Sequence, residues 1–83
     1  MVSATSQEGR AYFMTKFPER LNQLRDKRGV SQAAVSKEIG VSRYTIYSYE
    51  KGKTEPTLDG LVTLADYFDV TTDYLLGRTD TPR

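Results

Sequence analysis

Ser31–Gly52, SQAAVSKEIGVSRYTIYSYEKG, is the stretch whose reading decides the fold. Ser31 is a good N-cap, since its hydroxyl can accept from an unpaired backbone N–H of the first turn. Gln32–Ile39 then sets Val35 and Ile39 four residues apart, on one side of a short helix. Gly40 follows where a helix ends with positive φ, a conformation cheap only for glycine. Val41 is apolar, and Ser42 is a second N-cap. Arg43–Lys51 reads as another short helix with Ile46 and Tyr49 inward, closed by Gly52.

Arg43, Tyr44, Tyr47 and Ser48 recur at i, i+1, i+4 and i+5 and are read as one outer stripe of that second helix. All four carry hydrogen-bonding groups, and one is a planar, permanently charged fork. Two short helices joined by a tight glycine turn, the second with a donor-rich outer face, are the layout of a DNA-reading helix-turn-helix.

From Arg20 to Gly77 the chain resembles the Cro/CI-type helix-turn-helix repressors, the XRE family. The resemblance is carried by RLNQLRDKRGVSQ, EIGVSRYTIYSYEKGKTEP and LVTLADYFDVTTDYLLG. Gln32, Gly40, Val41, Ile46, Glu50, Gly52, Pro56 and the final DYLLG form an ordered set, far more specific than a lone Gly-Val-Ser. Ser36 departs from the pattern, which usually has alanine at the closest helix contact; serine is nearly as small, so close packing is still expected. The resemblance implies an all-α, compact five-helix lambda-repressor-like domain with its helix-turn-helix at the second and third helices. It also implies that Arg25 pairs with Glu50 to fix the third helix against the first, two solvated charges being the alternative. For Gln32 it implies two roles, touching DNA and bracing the reading helix.

Composition bounds the rest. Eighty-three residues make one small domain with one modest core. The chain has no cysteine and no histidine, which removes disulfides, thiolate metal sites and the commonest catalytic base. No metal or other cofactor is expected, and no apolar run approaches the ~20 residues of a membrane span. A cytoplasmic protein is the default. Net charge is only +1, but residues 1–28 carry +3, residues 29–56 carry +1 and residues 57–83 carry −3. A basic front and an acidic back suit a protein that docks one way round on a polyanion.

Residues 1–16 read as a disordered or loosely packed leader, with Met14 placed where an alternative start would stand and Tyr12 and Phe13 as apolar exceptions. Residues 17–77 form the domain and 78–83 a polar tail. The first helix is expected over Pro18–Arg28, with Pro18 at its first position and Phe17, Leu21 and Leu24 facing the core. Pro56 and Thr57 start the fourth helix, whose inner stripe is read as Leu58, Leu61, Val62, Ala65 and Phe68, with Leu64 flanking. Thr71 or Thr72 caps a last short helix through Leu76. No stretch alternates like a strand.

On this layout the N-terminal end of the third helix enters the major groove. Arg43 matches O6 and N7 of guanine with two parallel donors; a phosphate contact is its equal alternative. Tyr44 can lay its ring on a thymine methyl, and Ser48 reaches a base edge only if the helix lies deep. Ser31, Gln32, Ser42, Thr45, Tyr47, Lys51 and Lys53 are the phosphate or sugar candidates, gathered around one helix end. The function implied is sequence-specific binding of a double-stranded DNA operator by a homodimeric transcriptional repressor of phage or mobile-element type. Its interface is expected around Tyr74, Leu75 and Leu76, with at least one of those leucines in the core, and Tyr12 and Phe13 as the rival surface. The alternative is a protein-interaction module or antitoxin component that keeps the fold. Scattered carboxylates without a partner base give no enzyme reading, and the core is too small for a small-molecule cavity.

Overall fold

The computed structural model describes residues 15–83 of the chain, which form α1 (Phe17–Arg28), α2 (Gln32–Ile39), α3 (Arg43–Glu50), α4 (Leu58–Phe68) and α5 (Thr72–Leu76). The leader residues Tyr12, Phe13 and Met14 lie outside the described residues. The all-α architecture expected from the periodicity is the one found.

The helix starts follow the capping residues. Ser31, Ser42, Thr57 and Thr71 each accept a hydrogen bond from the backbone N–H three residues on, at 3.0, 3.1, 3.0 and 3.0 Å. Thr71, and not Thr72, is therefore the cap of α5. α1 starts on Phe17, one residue before the expected boundary, with Pro18 in its first turn. Gly40 ends α2 at φ 79° and donates to the Ser36 carbonyl at 2.9 Å, which turns the chain sharply enough for α3 to cross α2. α4 ends without glycine: Asp69 takes φ 59°, a conformation that aspartate tolerates better than most residues.

The core sits where all five helices meet. Leu21, Val35, Ile46, Leu64 and Leu75 are fully buried, joined by Phe17, Tyr49, Ala65, Phe68 and Val70. Phe17 and Tyr49 meet edge to face with ring centroids 5.8 Å apart. Ser36 is buried at the α2–α3 contact, and its hydroxyl donates to the Ala33 carbonyl at 2.8 Å. Its extra polar atom is thus satisfied within its own helix, and the close packing survives.

One sequence expectation changes. The inner stripe of α4 is Leu61, Leu64, Ala65 and Phe68, with Leu64 fully buried, while Leu58 is 83% and Val62 50% exposed. The i, i+3, i+4, i+7 phase that starts at Leu61 leaves Val62 about 100° off the stripe. Leu58 belongs to the first turn, at the rim of a groove lined also by Phe17, Pro56, Leu61 and Leu76. The polar stretch 78–83 is tied back onto the domain. Arg20, a buried charged residue, donates to the carbonyls of Tyr74 and Thr79 at 2.9 and 3.1 Å and pairs with Asp80 at 2.8 Å. Its guanidinium also lies 4.1 Å from the centre of the Tyr74 ring. The Thr71 N–H donates to the Pro82 carbonyl at 2.9 Å, and Arg83 pairs with Asp69. Among the described residues no helix is long and apolar enough to cross a membrane.

Candidate nucleic-acid interface

The surface of interest is built from the N-terminal turns of α2 and α3 and the loop after α3. Ser31, Ser42, Arg43, Lys51 and Lys53 are exposed, while Gln32, Thr45 and Tyr47 are half-buried. Tyr44 is 63% exposed, unusual for a large ring, and its centroid lies 5.8 Å from that of Tyr47. The Lys51 and Lys53 ammonium groups stand 5.7 and 5.8 Å from the Tyr47 ring centre, so two cations gather around one aromatic ring. The structure thus brings together the basic and aromatic candidates on one continuous surface.

Ser48 does not belong to that surface. It is only 4% exposed, and its hydroxyl accepts from Thr54 Oγ1 at 3.1 Å. Counting i, i+1, i+4 and i+5 as one stripe hides its angular position. At 3.6 residues per turn Ser48 lies about 140° round the helix from Arg43, on the side that packs against the loop. Its role is to hold the loop that carries Lys53, whose backbone N–H donates to the Ser48 carbonyl at 2.9 Å.

Beneath the exposed face lies a polar hub. Glu50 accepts from Arg25 Nε at 2.6 Å and Arg25 Nη2 at 3.0 Å, a two-pronged pairing of the fork with the carboxylate. It also accepts from Asn22 Nδ2 and Gln32 Nε2, each at 3.1 Å. Arg25 spends a further N–H on the Val30 carbonyl at 3.0 Å, in the turn between α1 and α2. The Glu50 side chain is only 6% exposed. That burial alone would push its carboxyl up, but the bonds from Arg25, Asn22 and Gln32 together hold it below the ordinary range. On Arg25 the Glu50 bond raises the pKa and burial opposes it, leaving the guanidinium more basic than usual.

Gln32 extends the hub outward. Its Oε1 accepts from Arg43 Nη1 at 3.4 Å while its Nε2 donates to Glu50. A line of polar contacts therefore runs from α1 through Glu50 to Gln32 and, over a longer exposed contact, to Arg43, tying α3 to both α1 and α2. Sequence reasoning missed Asn22, although it stands three residues before Arg25 and so shares its helix face. It also missed Thr54, whose interest depends on where Ser48 points.

The interface residues expected at the C-terminal end fare unevenly. Leu75 is fully buried in the core and offers nothing to a partner. Tyr74 is half-buried beneath the Arg20 guanidinium, and Leu76 is half-buried beside the start of α1, where the Lys16 N–H donates to its carbonyl at 3.2 Å.

The helix-turn-helix family model (HTH_3) matches residues 21–75, and the chain belongs to this Cro/CI-type, XRE family. It is similar to an uncharacterized HTH-type transcriptional regulator, YobD of Bacillus subtilis (strain 168), 39% identical over 64 residues that cover 77% of this chain and 57% of the relative. The HTH-type transcriptional regulator AnsR of the same organism is 42% identical over 60 residues, 72% of this chain and 52% of the relative. The chain spans about half the length of these relatives. Among solved structures, the P22 c2 repressor protein in complex with a synthetic operator superposes with TM-score 0.70 at 37% identity, over 72% of this chain and 91% of that one.

Proposed function

We propose that the chain is the DNA-binding domain of a sequence-specific transcriptional regulator, a repressor of phage or mobile-element type, that works by binding and not by catalysis. α3 lies in the major groove, with its N-terminal turn toward the bases. Arg43 reads guanine, Tyr44 covers a thymine methyl, and Ser31, Gln32, Ser42, Thr45, Tyr47, Lys51 and Lys53 hold phosphates and sugars. Two copies bind a pseudo-palindromic operator whose half-sites lie about one helical turn apart. Acting on DNA, the protein works in the bacterial cytoplasm.

The observation that carries this reading is the braced line Arg25–Glu50–Gln32–Arg43. The network ties α3 to α1 and α2 through Glu50, and Arg43 stands exposed at its outer end, 3.4 Å from Gln32, where its fork is free to meet a base or a phosphate. That the P22 c2 repressor, similar in fold and 37% identical, is solved in complex with a synthetic operator supports DNA as the partner.

The test is selection of duplexes from a random pool, followed by binding at several salt concentrations. Affinity is expected to fall steeply and linearly in log–log form as salt rises. Arg43→Ala is expected to relax preference at one position of each half-site by about 1–3 kcal/mol. Lys53→Ala is expected to weaken all sequences alike and lower the salt slope by about one. No selected sequence and no salt dependence would overturn the proposal in favour of a protein-interaction module, for which the exposed Tyr44 ring is the natural anchor.

A further inference from the structure

The described chain begins on an apolar groove. Phe17, Pro56, Leu58, Leu61 and Leu76 line it, together with Thr15 and Glu55. Leu58 is 83% exposed, so one apolar wall is left open by the described residues. The groove's volume is about 260 Å³, below the roughly 300–1,000 Å³ of pockets that hold drug-sized ligands, which leaves room for one or two side chains. Thr15 is held in place there. The Lys16 N–H donates to the Leu76 carbonyl at 3.2 Å, and the Lys16 stem lies so close over Gly77 that an added Cβ would stand 2.6 Å from it. The entry into α1 is therefore pinned against the end of α5, beside the groove.

We propose that Tyr12 and Phe13 dock in this groove of their own chain and cover Leu58. Three features select them. The first is reach: Phe13 stands two residues before Thr15, so their Cα atoms are at most about 7 Å apart. So short a tether presents the pair to the groove at an effective concentration of about millimolar or more. The second is chemistry. Tyr12 and Phe13 follow the mainly small and polar stretch MVSATSQEGR, and each ring has about 150–250 Å² to bury. The neighbouring hollow shares Thr15, Phe17 and Glu55 but is closed by Pro18, Gly52, Lys53 and Thr54, whose polar groups suit two rings less well. The third is charge: Arg10, three residues before Phe13, comes within reach of exposed Glu55 on the groove wall.

Docking makes the leader a built-in competitor for the α4 face. A partner protein that takes the groove must displace Tyr12 and Phe13 first, and its affinity falls with the fraction of chains in which the groove is open. The groove residues named above include none from α3, so the reading face stays free with the leader in place.

The test uses the full chain. It has no tryptophan, so Phe13→Trp supplies a single reporter. Its emission is expected to be blue-shifted from that of the urea-unfolded chain, unchanged on dilution, and returned to the unfolded position by Leu58→Glu while circular dichroism shows the helices intact. Tyr12→Trp is measured beside it, so that one poorly fitting indole does not decide the outcome. Leu58→Glu is also expected to lower the melting temperature of the unaltered chain by roughly 4–8 °C, as the loss of one ordinary contact does in a domain this small. The same change in a Tyr12→Ser/Phe13→Ser background is expected to leave the melting temperature unmoved, because the coupling of a contact vanishes once its partner is gone. Unfolded-like emission from both tryptophans, or equal effects of Leu58→Glu in the two backgrounds, overturns the proposal. A blue shift that fades on dilution overturns it as well and assigns the groove to the leader of a second copy.

Discussion

At the scale of single residues the molecule turns on Glu50. Its folded carboxyl is held below the ordinary value of 4.5, so the folded protein favours the charged form more than the unfolded chain does. The stability this contributes is present in full above that value and is lost as pH falls through the lowered folded pKa. Urea midpoints compared between pH 6 and pH 3 are expected to fall more for the unaltered protein than for Glu50→Gln, which has no proton to gain. Arg25→Ala leaves a nearly buried carboxylate without its two-pronged partner and is expected to cost about 1–3 kcal/mol, read by urea unfolding at neutral pH. Ser48→Ala removes one hydroxyl bond to Thr54 and is expected to cost about 0.5–1.5 kcal/mol while leaving the preferred DNA sequence unchanged. The Arg25–Glu50 pair was legible because the resemblance pointed to both positions. Ser48 was misplaced because a stripe counted by spacing fixes which residues are neighbours but not which side of the helix a neighbour covers.

Helices and turns were the most legible level. Ser31, Ser42 and Thr57 cap where a hydroxyl before an apolar period says they should, and Gly40 turns where a left-handed residue is needed. A Cβ at Gly40 would meet nothing within 4 Å, so Gly40→Ala tests backbone strain alone. The expected cost is about 1–2 kcal/mol, measured as a lower urea midpoint, with any loss of DNA affinity following from a shifted α2–α3 crossing. α4 was harder to phase because its sequence offers six apolar candidates over eleven residues, more than one stripe can hold. Periodicity alone could not say that Leu64 would be chosen and Val62 refused; that depends on where α2 and α5 pack against α4. The left-handed Asp69 was equally unreadable, since aspartate before valine marks a helix end only once the chain is seen to turn there.

Across the whole molecule, charge and closure were legible to different degrees. The fall from a basic first third to an acidic last third was plain in the sequence, and the exposed cations Arg43, Lys51 and Lys53 lie on the surface that the DNA reading needs. Closure was not legible, because Arg20 is one of twelve basic residues and nothing local marks it as the buried one. Arg20→Ala is expected to lower stability by about 1–3 kcal/mol, mostly through the orphaned Tyr74 and Thr79 carbonyls, since Asp80 is well exposed and its ion pair contributes little. Amide exchange at residues 79–83 is expected to accelerate in the same variant. The contacts of Arg20 span 54 to 60 positions, and the backbone bond from Lys16 to Leu76 spans as many again. On a ribosome adding roughly 5–20 residues per second, α1 and α3 therefore emerge seconds before the helix that completes their core. A nascent chain halted before Thr72 can already pack Leu21 and Leu64 against Val35 and Ile46, but it lacks Leu75 and the carbonyls that Arg20 binds, so the core stays open on one side until the last helix is out.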